Sequence, residues 1–203
     1  MKQFYNSIVL VGLLLVIQSI NAQIGKRFPS ERKVIKDPVT GTMLTFLTTT
    51  PMGDNKIYQT HNQWTSDGEW LIFRSNRVEG EAMVVNEKTG EIVQVTEGGY
   101  VGMLNVARNS MKLFFMRKPL DGFTKQTKKD KTSKPEATSM QIVEVDLAKL
   151  FADSKIGKLK KADYYQRVCG TTKLEMGAGG DLALDGDENW AYFRVGNEYA
   201  AKY

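Results

Sequence analysis

The chain is poor in the side chains that most often build metal centres and disulfides. Its 203 residues contain one cysteine, Cys169, and one histidine, His61. A single cysteine excludes an intramolecular disulfide, and one cysteine with one histidine cannot form a zinc site of the Cys/His finger type. A catalytic centre built from several histidines of this chain is excluded for the same reason. We expect Cys169 to be a buried strand residue.

A strong excess of charge is also lacking. The chain has 28 Lys and Arg residues against 23 Asp and Glu residues, with 41% hydrophobic residues. This balance is typical of a folded protein and excludes a disordered acidic or basic tail. The net charge of +5 is too modest to indicate nucleic acid as a partner, whereas an anionic polysaccharide is compatible with it.

Long hydrophobic runs are absent except near the start of the chain. The apolar run over residues 8–17 follows Met1 and Lys2, and Ala22 closes the segment with a small residue. About ten apolar residues are well short of the roughly 20 that span a bilayer, so an N-terminal membrane anchor is the weaker alternative. The pattern predicts a signal peptide over residues 1–22, a secreted or periplasmic protein, and no membrane association after cleavage.

Helical periodicity is scarce in the remaining chain. Short runs rich in Val, Ile, Phe, Tyr and Trp alternate with turn dipeptides such as Asp67-Gly68 and Thr89-Gly90. The clearest unit predicts strands over residues 70–75, 82–86 and 91–96, joined by tight turns. The pattern indicates an all-β fold.

A turn followed by an aromatic-rich strand and an arginine occurs three times. Residues 66–74 are repeated about 43 residues later by residues 107–117, and again by residues 184–194. Residues 140–147 alternate as the third strand of the second unit would. This spacing predicts a domain over residues 23–203 with about three β-propeller blades, an incomplete ring of a seven-bladed propeller. Solvent-exposed meander sheets are the alternative.

Two segments depart from the strand pattern. Residues 118–139 are rich in Lys, Thr, Ser and Pro and almost free of apolar residues, which predicts a solvated loop insertion in the second unit. The alternative function of this insertion is a basic flap over an anionic substrate. Residues 147–159 predict a short helix with Asp146 near its start.

One stretch resembles a known family. Residues 56–73 contain Tyr58-Gln59-Thr60-His61 followed by Trp64 and a Ser-Asp-Gly turn, and residues 86–91 and 95–98 continue the match. This stretch resembles the N-terminal blades of bacterial propeller polysaccharide lyases, above all the oligogalacturonate lyase family, and is similar to secreted ulvan lyases around Gln-Thr-His-x-x-Trp. The Ser-Asp-Gly turn recurs in many propellers and therefore indicates only the fold.

The resemblance implies β-elimination on a polysaccharide that contains uronic acid. Such a reaction needs a neutralised carboxylate at C5, a base for the adjacent proton and an acid for the leaving O4. His61 falls on the family-like motif and is the expected catalytic residue, as base or carboxylate neutraliser; its alternative role is to close a strand end by a hydrogen bond. The expected substrate-binding residues are Asn62, Arg74, Arg117, Tyr58 and Tyr100.

Two departures from the family affect the functional prediction. The family's metal centre uses several His residues and a Gln in later blades, so we expect no cofactor in this chain, although a divalent metal such as manganese suits a complete member. Three blades are fewer than a closed ring needs. We therefore expect a truncated or split lyase that is inactive alone, with the missing blades on another chain.

A second hypothesis comes from a different class of protein. The same pattern fits a non-catalytic periplasmic propeller of the TolB-like kind or a carbohydrate-binding scaffold, in which His61 has no chemical role. The two hypotheses differ in geometry, because convergence of His61, Arg74 and Arg117 on one concave face favours a uronate site, whereas their dispersal favours a scaffold.

Overall fold

The computed structural model describes residues 23–120 and 139–202. The predicted signal peptide over residues 1–22 and all but the ends of the Lys-rich insertion over residues 118–139 lie outside the described residues. No helix in the described part of the chain is long and apolar enough to cross a membrane.

Short antiparallel strands account for most of the regular structure in the described residues. The strands are β1 (Arg27–Phe28), β2 (Lys33–Lys36), β3 (Met43–Phe46), β4 (Asn55–Lys56), β5 (Trp70–Arg74), β6 (Ala82–Asn86), β7 (Ile92–Gln94), β8 (Val101–Val106), β9 (Lys112–Arg117), β10 (Gln141–Asp146), β11 (Gln166–Thr171), β12 (Leu182–Leu184) and β13 (Ala191–Phe193). The helices are α1 (Leu147–Lys155), α2 (Ala162–Tyr165) and α3 (Asn197–Ala200), with a 3-10 turn at Leu174–Met176. The all-β prediction is confirmed.

The first sheet contains the predicted strands β5, β6 and β7 in sequence order, with β4 beside β5. The turn at Asp67-Gly68 is held by the Asp67 carboxylate, which accepts hydrogen bonds from the Thr65 hydroxyl and the Glu69 N–H. At the opposite edge of this sheet, β1 pairs with β7, with Arg27 opposite Val93. The sequence did not indicate this last pairing, because two residues are too few for a strand pattern.

The second sheet has four strands in the order β8, β9, β10 and β11. Strand β10 is the third strand of its sheet, as predicted. The predicted helix forms as α1, and the Asp146 carboxylate accepts a hydrogen bond from the Lys149 N–H at 3.0 Å, which satisfies one of the free N–H groups at the helix start. Cys169 is exposed because β11 is an edge strand, so the prediction of a buried cysteine was wrong.

The third unit is a hairpin of β12 and β13 that lies against β8. The Met103 N–H donates to the Gly180 carbonyl at 2.8 Å. A Cβ atom at Gly102 would lie 2.2 Å from the Gly180 oxygen, and the φ of Gly102 is +73°, so this approach requires glycine. Trp190 and Tyr192 on this hairpin are exposed.

The core follows the two-residue period of the strands. In β9, Leu113 and Phe115 face the first sheet, while Phe114 and Met116 face the third unit. Ile72 of β5 belongs to the same central cluster as Phe115, and Phe73 faces the opposite side. Each central strand therefore has apolar residues on both faces, which explains its continuous hydrophobic sequence.

A buried ion-pair group fixes the chain that precedes the first sheet. The Arg77 guanidinium binds Asp54 and also binds Glu31 at 2.8 Å, with the Arg77 side chain almost inaccessible to solvent. Burial alone would raise the pKa of Glu31, but hydrogen bonds from Arg77 and from the N–H groups of Thr50 and Thr49 lower it from 4.5 to about 2. This group positions the exposed β2–β3 hairpin relative to the sheet.

Candidate functional site

The family-like motif forms a loop that leaves the β4 edge of the first sheet. Strand β4 pairs with the end of β5, and Trp64 pairs with Leu71 further along the same strand. The residues between β4 and Trp64 leave the sheet and turn back, with the His61 N–H donating to the Tyr58 carbonyl at 3.0 Å. Tyr58 lies edge-on to the His61 ring, with ring centroids 5.7 Å apart.

Three of the predicted site residues contact β8, an edge strand of the second sheet. They bind carbonyl groups at every second residue of β8: Arg74 Nη2 at 2.9 Å from the Gly102 oxygen, His61 Nδ1 at 3.3 Å from the Leu104 oxygen, and Asn62 Nδ2 at 3.4 Å from the Val106 oxygen. Carbonyls two residues apart on a regular strand are about 7 Å apart, but the register of β8 shifts between Val101 and Leu104. Regular strand spacing therefore applies to His61 and Asn62, and Arg74 binds β8 at its irregular start.

The hydrogen bond of His61 determines which ring nitrogen is basic. A backbone carbonyl can only accept, so His61 Nδ1 carries the proton that is donated to the Leu104 oxygen. In the neutral ring the lone pair then lies on Nε2, which has no hydrogen-bond partner within residues 23–120 and 139–202. This tautomer is the one that a general base at Nε2 requires.

A cleft of about 390 Å³ lies where the three units meet. The first unit contributes the loop between β4 and Trp64, the second contributes the end of β8 and the turn after it, and the third contributes the β12–β13 turn. The side chains that matter for ligand chemistry are His61, Asn62, Asn105, Arg108, Asp185 and Glu188.

Both carboxylates of the cleft are already used within the chain. Glu188 accepts from the Asn109 N–H and, at 2.6 Å, from the Ser110 hydroxyl. Burial opposes ionisation of Glu188, but these hydrogen bonds outweigh it and lower the pKa of the carboxyl group. Asp185 accepts from the N–H groups of Asn189 and Trp190 at 2.8 and 2.9 Å and so closes its own turn.

Two donors of the cleft remain unused. Asn105 is 7% exposed, and its Nδ2 has no hydrogen-bond partner among the described residues. Arg108 is exposed, and its guanidinium makes no ion pair or hydrogen bond with the described chain. Among the described residues, the two carboxylates of the cleft are therefore already hydrogen-bonded, whereas Asn105 Nδ2, the Arg108 guanidinium and the lone pair of His61 Nε2 have no partner.

The remaining predicted residues lie outside this cleft. Arg117 is buried, and it donates to Gln141 Oε1 at 3.0 Å and to the Glu97 carbonyl at 3.2 Å; burial lowers the pKa of its guanidinium. Burial raises the pKa of Tyr100, which interacts electrostatically with Arg74 and Glu81. Tyr100 thus interacts with Arg74 and Glu81, and Arg117 also interacts with Glu81, outside the cleft. Of the predicted site residues, His61 and Asn62 line the cleft.

Sequence reasoning missed four residues of the cleft: Asn105, Arg108, Asp185 and Glu188. Asn105 had a signal, because a polar side chain stands between Leu104 and Val106 in a strand whose neighbours are buried. Arg108 lies in the second repeat, where only the arginine that ends the strand was considered. Glu188 had no signal, since its role depends on contact with a turn about 80 residues earlier.

The fold and the cleft define an all-β protein of adjacent antiparallel sheets with a polar site at their junction. No family model and no curated protein matches the chain. Among solved structures, an oligogalacturonate lyase in complex with manganese is 19% identical, with a TM-score of 0.55 over 82% of this chain and 36% of that one. An oligogalacturonate lyase from Vibrio parahaemolyticus is also 19% identical, with a TM-score of 0.56 and the same coverage.

These comparisons confirm the resemblance that the sequence motif indicated. At 19% identity the likeness shows a shared fold. The chain spans about a third of the length of these lyases, since it covers 36% of each. The arrangement of the sheets as propeller blades stays a prediction.

A manganese centre does not fit the described residues. No group of three or more His, Cys, Asp or Glu side chains in residues 23–120 and 139–202 is placed to hold a metal ion. In the cleft, His61 Nε2 is a single available ligand among the described residues, since Nδ1 donates to a carbonyl and both carboxylates already accept from N–H groups of the chain. We therefore derive no reaction step through a metal.

Proposed function

We propose that the chain is part of a polysaccharide lyase that binds oligosaccharides containing uronic acid at the His61 cleft and cleaves them by β-elimination. The observation that carries the proposal is a histidine whose Nε2 has no partner among the described residues, beside donors that also lack one there, in a chain that shares the fold of oligogalacturonate lyases. Oligogalacturonate is the first candidate substrate, and ulvan is the second.

The residues of the cleft have distinct roles in this reaction. Arg108 pairs with the C5 carboxylate and so acidifies the neighbouring C5 proton. His61 Nε2 removes that proton, the electron pair forms the C4–C5 double bond, and the C4–O4 bond breaks. The proton returns from the imidazolium or from water to the leaving O4. Tyr58, packed against His61 and 46% exposed, provides an apolar ring against which a sugar can stack.

Location and assembly are further parts of the proposal. Removal of residues 1–22 as a signal peptide delivers the chain to the periplasm or the exterior, where polysaccharides are found. Additional blades from another chain cover the exposed aromatic side chains of the third unit, Trp190 and Tyr192.

Turnover tests the proposal directly. The chain is mixed with oligogalacturonate or ulvan, and the ultraviolet absorbance of unsaturated uronate is followed over time. The residues that carry the proposed reaction all line the cleft of this chain. In contrast to the inactive fragment expected from the sequence, we therefore expect the absorbance to rise with one of the two substrates and to stay flat with His61→Ala. Lys33→Gln, on the distant β2–β3 hairpin, is the control that keeps full activity.

A second candidate is a non-catalytic carbohydrate-binding scaffold. Its support is that neither predicted arginine joins His61, because Arg74 binds the Gly102 carbonyl and Arg117 binds Gln141, both outside the cleft. A scaffold binds the oligosaccharide without forming an unsaturated product, so calorimetric binding measured beside the absorbance assay separates the two candidates.

A further inference from the structure

We infer that Asn105 is a ligand-binding residue of the cleft and that, together with Arg108, it selects ligands that carry a carboxylate. The inference deepens the proposed function and rests on it for the identity of the ligand. The assignment itself rests on the contacts of the cleft.

The buried, unpaired amide of Asn105 lowers the stability of the folded chain when no ligand is bound. The residue is only 7% exposed, yet its Nδ2 has no partner among the described residues. Buried donors are nearly always paired, because an unpaired one has lost its hydrogen bonds to water without replacement. An amide of this kind that lines a cleft is explained if a ligand supplies the missing acceptor.

Neighbouring side chains do not supply that acceptor. Asn62 Oδ1 accepts from the Trp64 N–H, and the Nε2 lone pair of His61 makes no hydrogen bond to Asn105. The Asp185 carboxylate is bound to N–H groups of its own turn, and the Glu188 carboxylate is bound to Asn109 and Ser110 of the second unit. The acceptor must therefore come from outside the described chain.

The balance of donors and acceptors indicates the chemistry of the ligand. Asn105 Nδ2 and the Arg108 guanidinium are donors with no acceptor among the described residues, and Arg108 adds a positive charge. Asn105 lies near the end of β8 and Arg108 in the turn after it, and both line the same cleft. A carboxylate offers two acceptor oxygens and a negative charge, so it satisfies both donors, whereas a neutral sugar satisfies them without the charge.

The test is a pair of measurements on Asn105→Leu. Leucine has a similar volume and removes the unpaired amide, so we expect an equal or higher melting temperature. We expect the affinity for galacturonate trisaccharide, measured by calorimetry, to fall about tenfold or more, because a donor to a charged group is lost. The affinity for galactose trisaccharide, the neutral counterpart, is weak in the unmodified chain and changes little.

Gln94→Leu is the matched control. Gln94 is also a buried strand amide with an unpartnered atom, its Oε1, but it does not line the cleft. We expect this substitution to leave the affinity for galacturonate trisaccharide unchanged. If both leucine variants reduce that affinity equally, the assignment of Asn105 is overturned.

Arg108→Gln keeps the inference testable if Asn105→Leu fails to fold, since Arg108 is exposed and its replacement leaves the core intact. We expect it to remove the preference for galacturonate over galactose trisaccharide, with Lys33→Gln as the charge control. An unchanged preference in Arg108→Gln, or unchanged affinity in a folded Asn105→Leu chain, overturns the inference and leaves the proposed function standing.

Measuring binding and turnover together also shows whether the lyase proposal fails while the assignment of Asn105 holds. If the unmodified chain binds galacturonate trisaccharide through Asn105 but forms no unsaturated product, the lyase reaction is refuted and the binding assignment stands. A chain that binds neither trisaccharide refutes both.

Discussion

Glu188 connects the third unit to the second, and its backbone has an unusual conformation. The φ of Glu188 is +60°, the left-handed region that side chains with a Cβ atom rarely adopt. Its carboxylate binds the Asn109 N–H and the Ser110 hydroxyl, and Asn109 Nδ2 donates to the Gly186 carbonyl at 2.9 Å. The turn therefore combines a strained backbone with a side chain that fixes it in place.

Two substitutions separate these two effects. Glu188→Ala keeps the strain and removes two hydrogen bonds to a charged group at a partly exposed site, which should lower the free energy of unfolding by about 2 kcal/mol. Glu188→Gly removes the same hydrogen bonds but relieves the left-handed strain, which costs other residues about 1 kcal/mol. The glycine variant should therefore be about 1 kcal/mol more stable than the alanine variant.

Urea denaturation of the three chains measures these differences, and hydrogen exchange localises them. We expect amide exchange to accelerate in residues 182–193 of the alanine variant and to stay unchanged in β5 and β6. Equal stability of Glu188→Ala and the unmodified chain, or an alanine variant more stable than the glycine variant, would refute the reasoning.

Two further predictions concern the core and the response to acid. Phe115 is fully buried, so Phe115→Ala should lower the free energy of unfolding by about 3 to 5 kcal/mol, whereas Val39→Ala, at an 89% exposed position, should change it by about 0.5 kcal/mol or less. The folded-state pKa of Glu31 is about 2, below the ordinary 4.5, so its stabilisation is complete above pH 4.5 and is lost as pH falls toward 2. The unmodified chain should lose about 1 to 2 kcal/mol more of its free energy of unfolding than Glu31→Gln as the pH falls. Urea titrations at successive pH values measure this difference. An identical pH profile in the two chains would contradict the pairing of Glu31 with Arg77.

The interior strands of the two larger sheets, β5, β6, β7, β9 and β10, could be predicted from the sequence for a physical reason. Strands such as Ala82–Asn86 are buried on both faces, so they appear as short apolar runs between turn residues. The pairing of β1 with β7 could not be predicted, because it joins two residues to a distant strand and leaves no local pattern. Cys169 was placed wrongly because the sequence does not show which strand of a sheet lies at its edge.

The candidate site was predictable only in part. The motif around His61 indicated the loop that lines the cleft. The repeat indicated that Arg74 and Arg117 end equivalent strands, and they do end β5 and β9, but it could not show that their side chains bind groups outside the cleft. Asn105 depended on the absence of a partner, which only the packed structure reveals.

The formation of unsaturated uronate from oligogalacturonate tests the central claim most directly, because it requires both binding at the cleft and proton removal by His61. We expect the absorbance of the unmodified chain to rise, and we expect no rise with a folded His61→Ala chain. A rise that His61→Ala retains would contradict the role of His61, and no rise from a folded chain that binds the oligosaccharide would contradict the lyase function itself.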